Sequence, residues 1–259
     1  MTAMTYARYL ALDDLLSCQK PRSDEDDEML FIIIHQTYEL WFKEILHELD
    51  YLRTLLASDD LPRAGHAMKR VLTILKVLVA QVDILETMTP LEFLSFRARL
   101  EAGSGFQSAQ FREVEFVLGQ KRASALHQYP SGTVERSRLE RRYQAPSLWD
   151  WFVGYLARRG YAVAADVLNR DVTQPPAPSE PMQRTLSGLY RTDPTLAEFC
   201  ERLVDLDEGV QEWRYRHIKM VERTIGTKPG TGGSAGVEYL RTTLLRPVFP
   251  DLWAIRTEF

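Results

Sequence analysis

Apolar and polar positions follow a helical period over most of the chain. In SDEDDEMLFIIIHQTYELWFKEILHELDYLRTLL, apolar residues recur at Phe31, Ile34, Tyr38, Trp41, Phe42, Ile45, Leu49 and Leu52. Steps of three and four residues mark one face of a helix. Ser23 is the expected N-cap, and the acids that follow it suit a helix N-terminus. RAGHAMKRVLTILKVLVAQVDILETM repeats the pattern through Met68, Val71, Leu75, Leu78, Val82 and Leu85. Each run is roughly twice the mean helix length of ~11 residues, which predicts a core built on long helices. Pro90 stands where a first-turn proline is tolerated and opens a third helix, PLEFLSFRARL.

Further along, SGFQSAQFREVEFVLG has turn residues at both ends and a helical middle, and APSLWDWFVGYLARRG reads as another capped helix. The arginine-rich stretch from Lys121 to Gln144 predicts shorter, peripheral helices with a solvated basic surface. TQPPAPSEP is a proline-rich break too short to establish a domain boundary. A long helical pattern returns from Asp193 and ends at Gly226. No set of alternating β-branched strands with hairpin turns is present. The expected fold is all-α, a helical bundle with long core helices, in one domain over 1–259 with a peripheral helical region at about 121–146.

Composition adds limits. The chain has 259 residues, 45% of them hydrophobic and 26% charged, which is ordinary for a globular protein. A net charge of −4 suggests no nucleic-acid-binding surface. The two cysteines, Cys18 and Cys200, are far apart, and no C-x-x-C spacing indicates a zinc ribbon or a disulfide framework. The N-terminal MTAMTYARYLALDD lacks the basic and apolar regions of a signal peptide. Apolar runs such as MLFIII are far too short to span a bilayer. The expectation is a soluble protein of a reducing, cytoplasmic compartment, with no membrane and no nucleic acid among its partners.

GTGGSAG, from Gly230 to Gly236, matches two short motifs at once. As a dinucleotide fingerprint it needs a preceding strand and a βαβ unit, and a helical segment precedes it instead. As a nucleophile elbow it needs an acid and a histidine later in the chain, and all five histidines come earlier. What remains is a glycine-rich loop. It is either a connection after a helix C-cap or a place where the backbone comes close to something else. His217 interrupts the apolar stripe Val210, Trp213, Met220, Val221, Thr224, while Arg214, Arg216, Lys219 and Arg223 fill the other positions. His35 lies inward one turn after Phe31. Each is either a hydrogen-bonded core histidine or a ligand. Dispersed histidines do not supply the three or four protein ligands of a zinc site. A haem needs only one, because the porphyrin gives the other four nitrogens.

Five blocks together carry a resemblance. DEMLFIIIHQTYELWFKEILHELD, SGFQSAQFREVEFVLG, WRYRHIKMVERTIGTKPGTGGSAGVEYL, the opening TYARYLALDDLLS and the closing VFPDLWAIRT resemble the tryptophan 2,3-dioxygenase family of haem-dependent aromatic oxygenases. The likeness covers almost the whole chain and is least in the 121–146 and 170–195 regions. It implies an all-helical homotetramer with one haem b per subunit. It further implies cleavage of the indole C2–C3 bond of L-tryptophan by O2 to N-formylkynurenine.

Carried over by motif, the resemblance makes His217 the proximal haem ligand. His35 would accept the indole N–H and Phe31 would pack on the indole. Arg97 would pair with the substrate carboxylate, and Thr231 would hydrogen-bond its ammonium or carboxylate. Ser104 and Gly105 would lie close to the haem and O2. Tyr6, Tyr9 and Leu10, in an N-terminal segment of about 1–20, would reach the pocket of a neighbouring subunit. The roles cohere physically: a buried zwitterion needs both charges met, an arginine fork suits a carboxylate, and Phe31 and Phe93 can wall an indole. Phe93 stands where some members carry tyrosine. A few relatives on this scaffold insert one oxygen and make 2-oxindoles from tryptophan or methyl-tryptophan, and the motifs fit that reaction too. A non-enzymatic haem- or tryptophan-binding module is the remaining alternative.

Overall fold

The structure, a computed structural model, describes residues 3–101, 103–228 and 240–259. Among the described residues there are helices and turns and no strand. The short helices α1 (Tyr6–Tyr9) and α2 (Leu12–Leu15) precede the long α3 (Asp26–Ala57) and α4 (Leu61–Leu85). Then come α5 (Pro90–Arg97), α6 (Ala109–Val117), α7 (Val134–Gln144), α8 (Leu148–Arg158), α9 (Ala165–Leu168), α10 (Glu180–Thr192), the long α11 (Pro194–Ile225) and α12 (Pro250–Ala254).

The apolar stripes read from the sequence become the core. Leu49, Leu52 and Leu56 of α3 meet Met68, Val71 and Leu78 of α4 and Phe199 and Leu203 of α11 in one buried cluster. α3 and α4 run antiparallel, as Tyr38 reaching Leu78 and Glu48 reaching Arg70 show. α11 lies parallel to α4, with Arg202 near Gly65 and Arg216 on Asp83. Asp60 caps α4 by accepting from Arg63 N–H. Thr89 and Glu92 form a capping box at α5, and Pro90 occupies its first turn. Asp193 caps α11, and Gly226, at φ +63°, ends it.

Three expectations need correction. Ser23 does not cap α3, which starts at Asp26. Glu28 captures the Arg22 and Ser23 backbone N–H groups and the Ser23 hydroxyl instead, so the side chain that would have capped the helix is itself held by it. The basic 121–144 stretch forms a 3₁₀ helix and α7 as predicted, but it is not simply solvated. Arg142 grips Asp50 of α3 with two 2.6 Å hydrogen bonds, and Lys121 is buried against the Tyr143 and Ala145 carbonyls. Arg214, one of the charged residues placed off the apolar stripe of α11, is buried as well.

Candidate functional site

α3 and α11 each bring one histidine to the same place. His35, His217, Leu85, Gly105, Phe106 and Met220 line both of two adjoining cavities. The first holds about 920 Å³ of space and continues along Tyr38, Phe42, Phe111 and Trp213. The second holds about 820 Å³ and continues along Phe31, Phe93, Arg97, Leu100 and Ser104. Both volumes include space open to solvent.

The protonation of His35 follows from its hydrogen bond among the described residues. Nδ1 lies 2.7 Å from the Phe31 carbonyl oxygen. A carbonyl only accepts, so the proton sits on Nδ1 and Nε2 is left as an acceptor. Burial lowers the His35 pKa, against the opposing pull of the Phe31 carbonyl and Glu39, so the ring stays neutral. His217 is pushed down to about 4, by burial first and then by His35 and Arg112. The site therefore presents two uncharged imidazoles near neutral pH.

Aromatic rings wall both sides. Phe31 lies 4.1 Å from the His35 ring, 5.8 Å from Phe93 and 5.6 Å from Phe96, centroid to centroid. Trp213 lies parallel to His217, 10° apart in plane and 5.2 Å between centroids. Ser104 caps the 3₁₀ turn at Gly105–Gln107, its hydroxyl accepting from Phe106 N–H. A Cβ added at Gly105 would meet no atom within 4 Å, so the backbone is open at the junction of the cavities.

Of the residues singled out in the sequence, His35, His217, Phe31, Phe93, Arg97, Ser104 and Gly105 thus line one or both cavities. Tyr6, Tyr9 and Leu10 line neither; they are exposed, Tyr6 and Tyr9 by about three quarters of their surface. Thr231 and the GTGGSAG stretch lie outside the described residues.

Sequence reasoning missed a charged cluster at the base of the first cavity. Glu115 is buried, and burial alone would raise its pKa, but Arg112, Arg122 and Arg214 together hold it below the usual value. Arg122 and Arg214 approach it to 2.8 and 3.2 Å. Arg214 also donates to the Thr243 carbonyl, fastening the segment beyond residue 239 to α11. The only sequence signal was the polar pattern REVE within an apolar-framed helix, which equally describes a surface. Gln110, likewise unremarked, donates to the Glu39 carboxylate at 2.8 Å and holds it at the rim of the first cavity.

The protein is thus an all-helical one whose described residues bring two histidines together between flat aromatic walls. Among the described residues no strand is present to carry the phosphate loop of a nucleotide enzyme or the nucleophile elbow of a hydrolase. Comparison with known proteins is more specific. A sequence profile described as tryptophan 2,3-dioxygenase matches residues 1–141 and 182–259. The unmatched 142–181 stretch holds α8 and α9, and none of its residues lines either cavity. The tryptophan 2,3-dioxygenase of Herpetosiphon aurantiacus is 58% identical over 99% of this chain and 98% of its own. That of Anaeromyxobacter sp. (strain K) is 58% identical over 98% and 96%. That of Caulobacter vibrioides is 48% identical over 98% of each. The chain belongs to the tryptophan 2,3-dioxygenase family.

Proposed function

We propose that this protein is a haem-dependent tryptophan 2,3-dioxygenase that cleaves the indole C2–C3 bond of L-tryptophan with O2, placing one oxygen atom on each carbon of N-formylkynurenine. The observation that carries the reading is the pair of neutral histidines at the junction of the two cavities, one with its proton held on Nδ1 by Phe31. The names of the relatives agree with it.

The residues present fit a haem. His217 is an uncharged imidazole with no hydrogen bond to a described residue, the state in which a histidine coordinates a metal. Phe106, Phe111 and Met220 offer apolar walls, and the open backbone at Gly105 leaves room for a flat group. Haem b would be held by His217, and when bound it supplies the O2 chemistry. The chain supplies binding and orientation. His35 Nε2 accepts the indole N–H, and Phe31 and Phe93 sandwich or wall the ring. Arg97 pairs with the carboxylate. Thr231 hydrogen-bonds the ammonium or carboxylate. Ser104 and Gly105 border the O2 side.

Tyr6, Tyr9 and Leu10, exposed in one protomer, complete the pocket of a neighbour in a homotetramer, which gives their apolar surface a buried partner. No described helix is long and apolar enough to cross a membrane, in keeping with a cytoplasmic enzyme.

The test is the product. Haem-loaded, reduced protein is given L-tryptophan and ¹⁸O2. N-formylkynurenine carrying both labelled atoms supports the reading. A 2-oxindole with a single labelled atom replaces it by mono-oxygenation, and absence of turnover above free haem reduces the protein to a binding module.

A further inference from the structure

Histidines that ligate metals almost always tie their second ring nitrogen to a carboxylate, a carbonyl or a water, and that bond sets the plane of the ring. His217 has no such partner among the described residues. Its ring is fixed from the face instead. Trp213, one turn earlier on α11, lies within 10° of parallel to it at 5.2 Å, the offset-stacked arrangement that aromatic pairs favour. Face contact leaves both ring nitrogens free in the plane, so it orients the imidazole without occupying a lone pair or an N–H.

Trp213 is itself immobilised from two other helices. Phe111 of α6 approaches it to 4.7 Å, and Phe42 and Tyr38 of α3 meet it edge-on at 6.2 and 6.4 Å. Tyr38 in turn is pinned by its hydroxyl, which donates to the Leu78 carbonyl of α4 at 2.9 Å. A ring held on several sides can hold its neighbour.

We propose that Trp213 is the positioning residue for His217: its indole sets the plane of the imidazole in the place of a hydrogen-bonded carboxylate or carbonyl. The inference rests on the reading of His217 as the haem ligand.

The experiment compares Trp213→Phe, which keeps a flat face, with Trp213→Met, which keeps apolar bulk in a flexible chain. Phe152→Leu is the control, a buried core ring that stacks on Phe199 and lines neither cavity. Each is loaded with haem b and reduced without substrate. The readouts are the iron–imidazole stretching band in resonance Raman spectra, the rate of haem transfer to apomyoglobin, and circular dichroism for the fold. Trp213→Met is expected to broaden and shift the band and to speed haem loss by about 10-fold or more, the usual cost of losing an outer partner. Trp213→Phe recovers most of both. Phe152→Leu lowers the melting temperature and moves neither.

If Trp213→Met folds without holding haem while Trp213→Phe holds it, the proposal is supported, since the two differ in the flat face. A parental band in Trp213→Met, or equal effects in Met and Phe, overturns it. The parent reading fails separately: His217→Ala would then keep haem with the parental spectrum.

Discussion

Replacing His35 by phenylalanine separates two roles that the same geometry allows. The ring stays flat against Phe31, whose centroid is 4.1 Å away, but the acceptor at Nε2 is lost. If His35 only orients the substrate, the loss is one hydrogen bond between a neutral imidazole and an indole N–H, worth about 0.5–1.5 kcal/mol net. That corresponds to roughly a 2- to 13-fold fall in kcat/KM. If His35 were the base that removes the indole proton, the fall would be about 10²–10⁴-fold. The structure favours the smaller figure, because burial holds the His35 pKa below its ordinary value and makes it a poor proton acceptor at neutral pH. The assay is steady-state turnover of L-tryptophan beside 1-methyl-tryptophan, which has no indole N–H to donate. The variant should lose a few-fold on the first and little on the second. A hundredfold loss on L-tryptophan, or equal losses on both, refutes the orienting role.

Arg97→Leu should raise KM for L-tryptophan far more than it changes kcat. The ceiling is about 3–5 kcal/mol for removing one member of a buried charge pair, less here because Arg97 is half-buried; an unchanged KM would remove it from the carboxylate site. In haem-free protein, His217 binds its proton at about 4 when folded and near 6.5 when unfolded. The unfolded chain therefore holds more protons between these values, and stability rises with pH through that window, by up to about 3 kcal/mol. His35 is shifted the same way. Urea midpoints across the window should show the slope, and His217→Phe should flatten it; a pH-independent midpoint contradicts the buried neutral imidazole. Asp207 accepts the Val248 and Phe249 backbone N–H groups at 2.7 and 2.9 Å and the Trp253 indole N–H at 2.9 Å. Asp207→Ala strands the two buried backbone donors at about 1–3 kcal/mol each, so denaturant unfolding should lose about 2–6 kcal/mol; a loss under 1 kcal/mol would mean that the C-terminal segment is not held this way.

Helix identity was legible from the chain because burial and helical period act on the same residues. The stripe on α4 is buried where the spacing places it, as is that on α3 apart from the half-buried Phe31 and Trp41, while on α11 Val210 is buried and Trp213, Met220, Val221 and Thr224 are half-buried along the cavities; Pro90, Asp193 and Gly226 mark helix ends through local backbone chemistry that needs no distant partner. The inward direction of His35 and His217 followed from the same periodicity. Local rules failed where a distant side chain competes for a group. Ser23 lost its capping role to Glu28, five residues on, and Arg142 left the solvent for Asp50 across the fold. Charge was the least legible property. Arg214 falls off the apolar stripe of its helix, and nothing in the pattern around Glu115 marks it as buried, since charged residues almost always lie at the surface. Only tertiary structure brings Arg112, Arg122 and Arg214 around one carboxylate, where their combined field outweighs the cost of burying it. The same limit applies to the site. Periodicity can turn a histidine inward, but the meeting of His35 with His217, and of both with Phe31, Trp213 and two cavities, depends on how α3 and α11 pack against α4.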